Sequence, residues 1–175
     1  KKSVLLLFFA GCVATGIFGI GRKIPMNRVN DLGQREGYWR DSVGGGFVYD
    51  LYYKGGKKDG LYKRFYRNKL FLFGEYTADN ISGTWYMFGD EGELRCTIDS
   101  IELNKDSIYT GYCRIFCKYK CHSIDYYPSG AVKSEGYMVC DEEFEIEIWE
   151  IGEWKYYDES GNLIKTKDYG DRRTP

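Results

Sequence analysis

The chain has 175 residues and a formal net charge of −1, which gives room for one domain and excludes the clustered positive charge of a nucleic-acid interface. Aromatic residues make up 18% of it, 17 of them Tyr, and 22 Gly stand against 3 Pro. Such a composition favours many short strands joined by tight turns and excludes both a helical bundle and a disordered chain.

At the amino terminus Lys1 and Lys2 precede the apolar run Val4-Leu5-Leu6-Leu7-Phe8-Phe9, followed by Ala10-Gly11-Cys12. A charged start, a short apolar core and small residues make an export signal. Phe9-Ala10-Gly11-Cys12 resembles the lipobox of bacterial lipoproteins, which implies Cys12 as the lipidated residue. Residues 4–20 fit an uncleaved anchor as well, at the short end of what spans a bilayer. Both readings make 1–20 a signal peptide or membrane anchor and place the protein in the bacterial cell envelope. Residues 21–36 are polar and without a sustained period, and read as a tether.

From Phe47 the pattern alternates: Phe47, Tyr49, Leu51 and Tyr53 fall on one face of a strand. Gly55-Gly56-Lys57-Lys58-Asp59-Gly60 forms a turn cluster. Residues 61–66 and 70–76 then make a pair of strands around Arg67-Asn68-Lys69. Gly83-Thr84-Trp85-Tyr86-Met87-Phe88-Gly89-Asp90-Glu91-Gly92-Glu93-Leu94 reads as strand, Gly turn and returning strand. Gly152-Glu153-Trp154-Lys155-Tyr156-Tyr157-Asp158-Glu159-Ser160-Gly161-Asn162-Leu163 repeats that plan. Gly37, Gly60 and Gly83 are spaced by 23 residues, and Gly152 stands three such intervals further on. A fixed period of this size marks a repeat architecture.

Residues 101–106 break the phase as an insertion. Tyr109, Gly111, Cys113, Ile115, Cys117, Tyr119 and Cys121 then share one parity against mostly polar neighbours, the mark of a half-buried strand or pair of strands. Tyr126-Tyr127-Pro128-Ser129-Gly130-Ala131-Val132 is a further aromatic-then-Gly turn, and Phe144, Ile146 and Ile148 alternate with Glu143, Glu145 and Glu147, the wet face of a sheet.

This succession of Gly, aromatic, paired aromatics, Gly turn and Leu resembles the MORN-type repeat, in the bacterial variant where Tyr-Tyr-x-x-x-Gly-x-Leu recurs and members often carry an antitoxin label. Tyr156-Tyr157-Asp158-Glu159-Ser160-Gly161-Asn162-Leu163 carries the motif in full. The resemblance implies an all-β fold, an antiparallel meander of stacked β-hairpins in a single extended twisted sheet over 37–169, with 170–175 as a polar tail. It brings no catalytic residue.

Chemistry-bearing residues point the same way. Cys113, Cys117 and Cys121 at four-residue spacing lie about 13 Å apart in a strand, too far to share a zinc ion. With Cys96 and Cys140 they read as small buried apolar side chains, a cross-strand disulfide through Cys140 or Cys96 being the alternative. His122, the sole histidine, points to the face opposite Cys121 and reads as a surface residue. Gly44-Gly45-Gly46 precedes a strand and is a loop, and no phosphate-binding, dinucleotide-binding or nucleophile-elbow motif occurs.

Trp39, Trp85 and Trp154, with Tyr62 in the matching slot, read as the spine between hairpins. In the pairs Tyr126-Tyr127 and Tyr156-Tyr157, adjacent rings face opposite sides, so one of each pair should be buried and one available to a ligand. The expected function is a non-catalytic, membrane-tethered extracytoplasmic protein that presents its sheet to a protein partner, without metal or cofactor. The alternatives are a glycan-binding module using those four Tyr and, more distantly, an antitoxin-like protein.

Overall fold

The computed structural model describes residues 25–105, 109–110, 113–141 and 148–170; the export segment with Cys12 and the alternating run around Glu143, Glu145 and Glu147 lie outside them. Among the described residues no helix is long and apolar enough to cross a membrane.

Among the described residues thirteen strands follow one another: β1 (Arg28–Val29), β2 (Arg35–Val43), β3 (Phe47–Lys54), β4 (Lys57–Tyr66), β5 (Lys69–Thr77), β6 (Asn80–Phe88), β7 (Leu94–Leu103), β8 (Tyr109–Thr110), β9 (Cys113–Phe116), β10 (Tyr119–Tyr126), β11 (Val132–Cys140), β12 (Ile148–Tyr157) and β13 (Leu163–Asp168). Eleven form a single antiparallel sheet in the order β1 to β7, then β10 to β13, so each strand pairs with the next in sequence except that β7 pairs with β10. The β8–β9 hairpin stands apart as a second, two-stranded sheet, and 101–103 of the expected insertion instead continue strand β7. The segment expected to be a tether contributes β1 and the turn into β2, so the sheet begins earlier than its aromatic pattern does.

Four turns share one design. Asn30 N donates to Gln34 O, Gly89 N to Glu93 O, Tyr127 N to Ala131 O and Asp158 N to Asn162 O. The fourth residue of each is Gly33, Gly92, Gly130 or Gly161, at φ 73°, 84°, 82° and 84°. The side chain at the first position reinforces two of them: Asn30 Oδ1 accepts from Leu32 N and Gln34 N, as Asp158 Oδ1 does from Ser160 N and Asn162 N. Hydrogen bonds from Asn162 and the other turn amides hold the Asp158 carboxyl below its usual pKa. The β4–β5 turn lacks its Gly and is tighter, with Arg67 and Asn68 both at positive φ.

Bulges then aim the large rings. In β4, β6 and β12, three residues stand opposite one: 59–61 opposite Tyr52, 83–85 opposite Gly74, and 152–154 opposite Gly136. Gly60, Gly83 and Gly152 take positive φ within these bulges, and after Gly83 and Gly152 the Trp two residues on lies over the preceding strand. Trp85 lies so close over Gly74 that an added Cβ would come within 2.1 Å of the ring, and Trp154 covers Gly136 at 2.5 Å. In β4 Gly60 is the middle residue of the bulge, so Tyr62 falls just past it, opposite Leu51, and packs against Tyr49, Tyr76 and Trp85.

One face of the sheet therefore holds the core. Leu51, Tyr62, Leu72, Tyr76, Trp85, Ile98, Tyr119, Met138 and Trp154 form one buried cluster, and Trp85 is only 1% exposed. A flat single sheet would leave such a ring open to water, so this face curls over itself, as bulged strands bend to do. The opposite face has a small cluster of Cys117, Val139 and Ile151 backed by Trp149.

Here one expectation is corrected. Cys117 and Cys121 do not share a face, because the chain breaks strand at Cys117–Lys118 and restarts at Tyr119. The break is held by Asn104, itself buried, whose N donates to Lys118 O and whose Nδ2 donates to Cys117 O at 3.0 Å.

Candidate functional site

The core face is not filled evenly. Between β5 and β12, strands that would stand about 24 Å apart if the sheet were flat, it holds a trough of about 520 Å³. That volume falls in the range typical of ligand pockets.

Pairing register builds the floor. Met87, Cys96, Asp125, Ser134 and Tyr156 stand side by side on β6, β7, β10, β11 and β12. The next row runs Trp85, Ile98, Ser123, Gly136, with the Trp154 ring over the last. Apart from Ile98, the middle strands of these rows use Cys, Ser, Asp and Gly where the flanks use Met, Tyr and Trp. Small side chains in the middle of a curled face leave the space open.

Walls and rim are contributed by Phe71, Phe88, Met138 and Glu150, together with Arg95 and Lys133. Phe71, Arg95 and Lys133 have a common origin. Each is the extra residue of a bulge just after a turn, between Leu70 and Leu72, Leu94 and Cys96, and Val132 and Ser134. The position that carries an aromatic in one hairpin carries a cation in the next two.

The polar groups of the floor are tied together. Ser134 Oγ donates to Asp125 Oδ2 at 2.8 Å, and Cys96 Sγ and Ser123 Oγ lie 3.2 Å apart. Burial pushes the Cys96 thiol up to about 12, with the Asp125 charge adding to the shift. Tyr156 OH meets Tyr169 OH at 2.8 Å, and its pKa is raised by burial, by that hydrogen bond and by the charges of Glu150 and Asp125. Both carboxylates therefore lie within electrostatic reach of the Tyr156 phenol.

Of the four expected ligand-facing rings, only Tyr156 reaches the trough. None of the four divides into a buried and an exposed member; all are half-buried. The Tyr126 hydroxyl lies 3.1 Å from Thr97 Oγ1, Tyr127 OH donates to Tyr157 O, and Tyr157 OH donates to Glu135 Oε1 at 2.6 Å. These hydrogen bonds join neighbouring strands and occupy the phenols.

Cys96, Cys117, Cys121 and Cys140 are buried and stand outside any disulfide, and the side chain of Cys113 lies outside the described residues. Cys121 and Cys140 bring their sulfurs to 3.5 Å, and that contact together with burial raises the Cys140 pKa. His122 sits on the opposite face, half-buried, with Nδ1 3.4 Å from Asp99 and its ring edge-on to Tyr137. Among the described residues no three His, Cys, Asp or Glu converge on a metal position.

A second hollow, of about 430 Å³, lies on the other face near the amino-terminal end and is lined by Met26, Tyr38, Asp50, Tyr52, Leu61 and Lys63. Its polar groups are the Tyr38 and Tyr52 phenols, Asp50 and Lys63, and Tyr52 and Leu61 on its border are exposed.

Sequence reading missed the trough. It arises from Asp125, Ser123 and Ser134, each of which reads as an ordinary polar strand residue until register aligns them. Comparison with family models, with curated proteins and with solved structures finds no match.

Proposed function

We propose that this chain is a non-catalytic binding protein, tethered at the cell envelope through its amino-terminal segment, which presents the core face of a hairpin-repeat sheet to a partner. The trough is the observation that carries this reading: a roomy, mostly apolar hollow with a few converging polar groups, on an open sheet whose register holds them rigidly. The repeat reading, of MORN type, draws support from the positive φ at Gly37, Gly60, Gly83 and Gly152, the four positions set by the 23-residue interval.

The chemistry of the reactive groups supports binding over catalysis. A thiolate is the nucleophilic form of cysteine, and burial holds the Cys96 and Cys140 thiols protonated at neutral pH. His122 is the one histidine of the chain and projects from the opposite face, away from Cys96 and Cys121, so no imidazole stands beside them. The tether rests on the charged start, the apolar run and the lipobox-like Cys12.

The test is site-specific photo-crosslinking in the full-length protein in cells. A photoreactive residue in place of Phe88, in the trough wall, is expected to form adducts, whereas one in place of Leu61 on the opposite face is not. Adducts through Leu61 alone, or none at either position, would overturn the proposal.

A further inference from the structure

The geometry points to a neutral carbohydrate as the occupant of the trough, a short oligosaccharide laid across β7, β10 and β11; this rests on the core face being the binding surface.

A sugar ring combines a C–H face, which packs on aromatic and thioether surfaces, with a rim of hydroxyls that each donate and accept. The trough offers both in register. Met87 and Tyr156 end the row whose middle holds Asp125 and Ser134, so apolar walls flank a polar floor. Ser123 and Ser134 are 3% and 4% exposed, deep enough that their hydrogen bonds to a ligand would be shielded from water. Ser134 donates its single proton to Asp125, which leaves its own lone pairs to accept from a hydroxyl. The Asp125 carboxylate in turn accepts from more than one donor at a time.

Charge separates a polyol from an ion. Asp125 and Glu150 supply two carboxylates, while Arg95 and Lys133 supply two cations at the rim. An anion meets the carboxylates and a cation meets the rim, so an ion of one sign gains and loses together. A neutral polyol uses all four groups, donating to the carboxylates and accepting from the cations. The bulges that turn Arg95 and Lys133 inward make this combination, since an unbulged strand would place its next residue on the opposite face.

Calorimetric titration of the full chain with maltotetraose, cellotetraose and chitotetraose, beside spermidine and a heparin-derived tetrasaccharide, tests the inference. Saturable binding of a neutral saccharide is expected, weakened about tenfold or more by Asp125→Asn and by Ser134→Ala. Lys133→Ala, at an exposed rim position where folding is not at stake, should weaken it as well, and Lys63→Ala on the opposite face should not. Binding of the charged probes alone, or saccharide binding that Lys133→Ala leaves untouched, would overturn the inference. If Phe88 still forms adducts in cells while no neutral saccharide binds, the carbohydrate falls and the binding face stands. If neither occurs, both fall.

Discussion

Trp85 and Trp154 are placed by one device and end in two environments. Each follows a positive-φ Gly by two residues, sits in a bulge of three residues against one, and lies over a Gly of the preceding strand. Each indole N–H donates to a backbone carbonyl, Ser82 O for Trp85 and Tyr137 O for Trp154. Their neighbours differ. Tyr62 and Tyr76 close on Trp85 with ring centroids at 5.4 and 5.3 Å, whereas Tyr156 and Tyr169 stand 6.5 Å from Trp154 and the trough opens beside it. The hairpin plan fixes where a ring goes; the side chains around the ring decide whether the result is core or cavity.

The largest effect expected from this difference is on stability. Trp85→Ala should cost about 3–5 kcal/mol, the usual range for deleting a buried aromatic, because close rings on two sides cannot collapse into the void. Trp154→Ala should fall at or below the bottom of that range, since its ring already borders open space. Urea unfolding midpoints of the two variants measure the gap directly. Equal losses would mean that the two environments are energetically alike and that the trough is no real defect in packing.

The glycines beneath the rings sharpen the same contrast with a smaller change. A Cβ at Gly74 would press into the Trp85 ring, which is held by Tyr62 and Tyr76 and has nowhere to move. At Gly136 the Trp154 ring can shift toward the trough. Overpacking of this kind costs about 1–3 kcal/mol; Gly74→Ala should lie at or above the top of the range and Gly136→Ala near the bottom. In the second variant the shifted ring should also enter the trough, visible as a change in Trp emission that Gly74→Ala does not share. A loss for Gly136→Ala as large as for Gly74→Ala would break the comparison.

The two halves also differ in how far they can be read from residues alone. The aromatic half was legible, because Tyr49, Leu51, Tyr62 and Trp85 combine strand alternation with Gly turns, and both signals are local. The hairpin turn at Asp158-Glu159-Ser160-Gly161-Asn162 was legible for the same reason. The trough was not. Its floor depends on Cys96 facing Asp125 and Asp125 facing Ser134, contacts set by register across three strands. A bulge of one residue decides whether Arg95 and Lys133 point in or out, and nothing in their immediate sequence announces it. The expected separation of Tyr126 from Tyr127 and of Tyr156 from Tyr157 failed for a related reason. Strand parity assigns a face but not a partner, and interstrand hydrogen bonds to Thr97, Tyr157, Tyr169 and Glu135 draw all four rings partly inward.

The smallest predicted effect concerns pH and belongs to the trough half. Cys96 rises from an ordinary 9.0 to about 12, so the folded state holds the thiol proton more tightly than the unfolded chain does. The stability this contributes is intact below pH 9, where both states are protonated. It is lost as pH climbs from 9 toward 12, because only the unfolded chain gains by ionising. Between pH 7 and pH 10 the loss for this one group is on the order of 1 kcal/mol. Comparing the full chain with Cys96→Ala isolates it, since the packing lost in the variant is the same at both pH values and cancels in the difference. The stability gap between the two proteins should therefore narrow by about 1 kcal/mol from pH 7 to pH 10. Tyr156, also raised, begins to contribute only near pH 10 and does so equally in both proteins. A gap that stays constant over that interval would mean that water reaches the Cys96 sulfur freely, and that the floor of the trough is far wetter than the burial of Cys96, Ser123 and Ser134 implies.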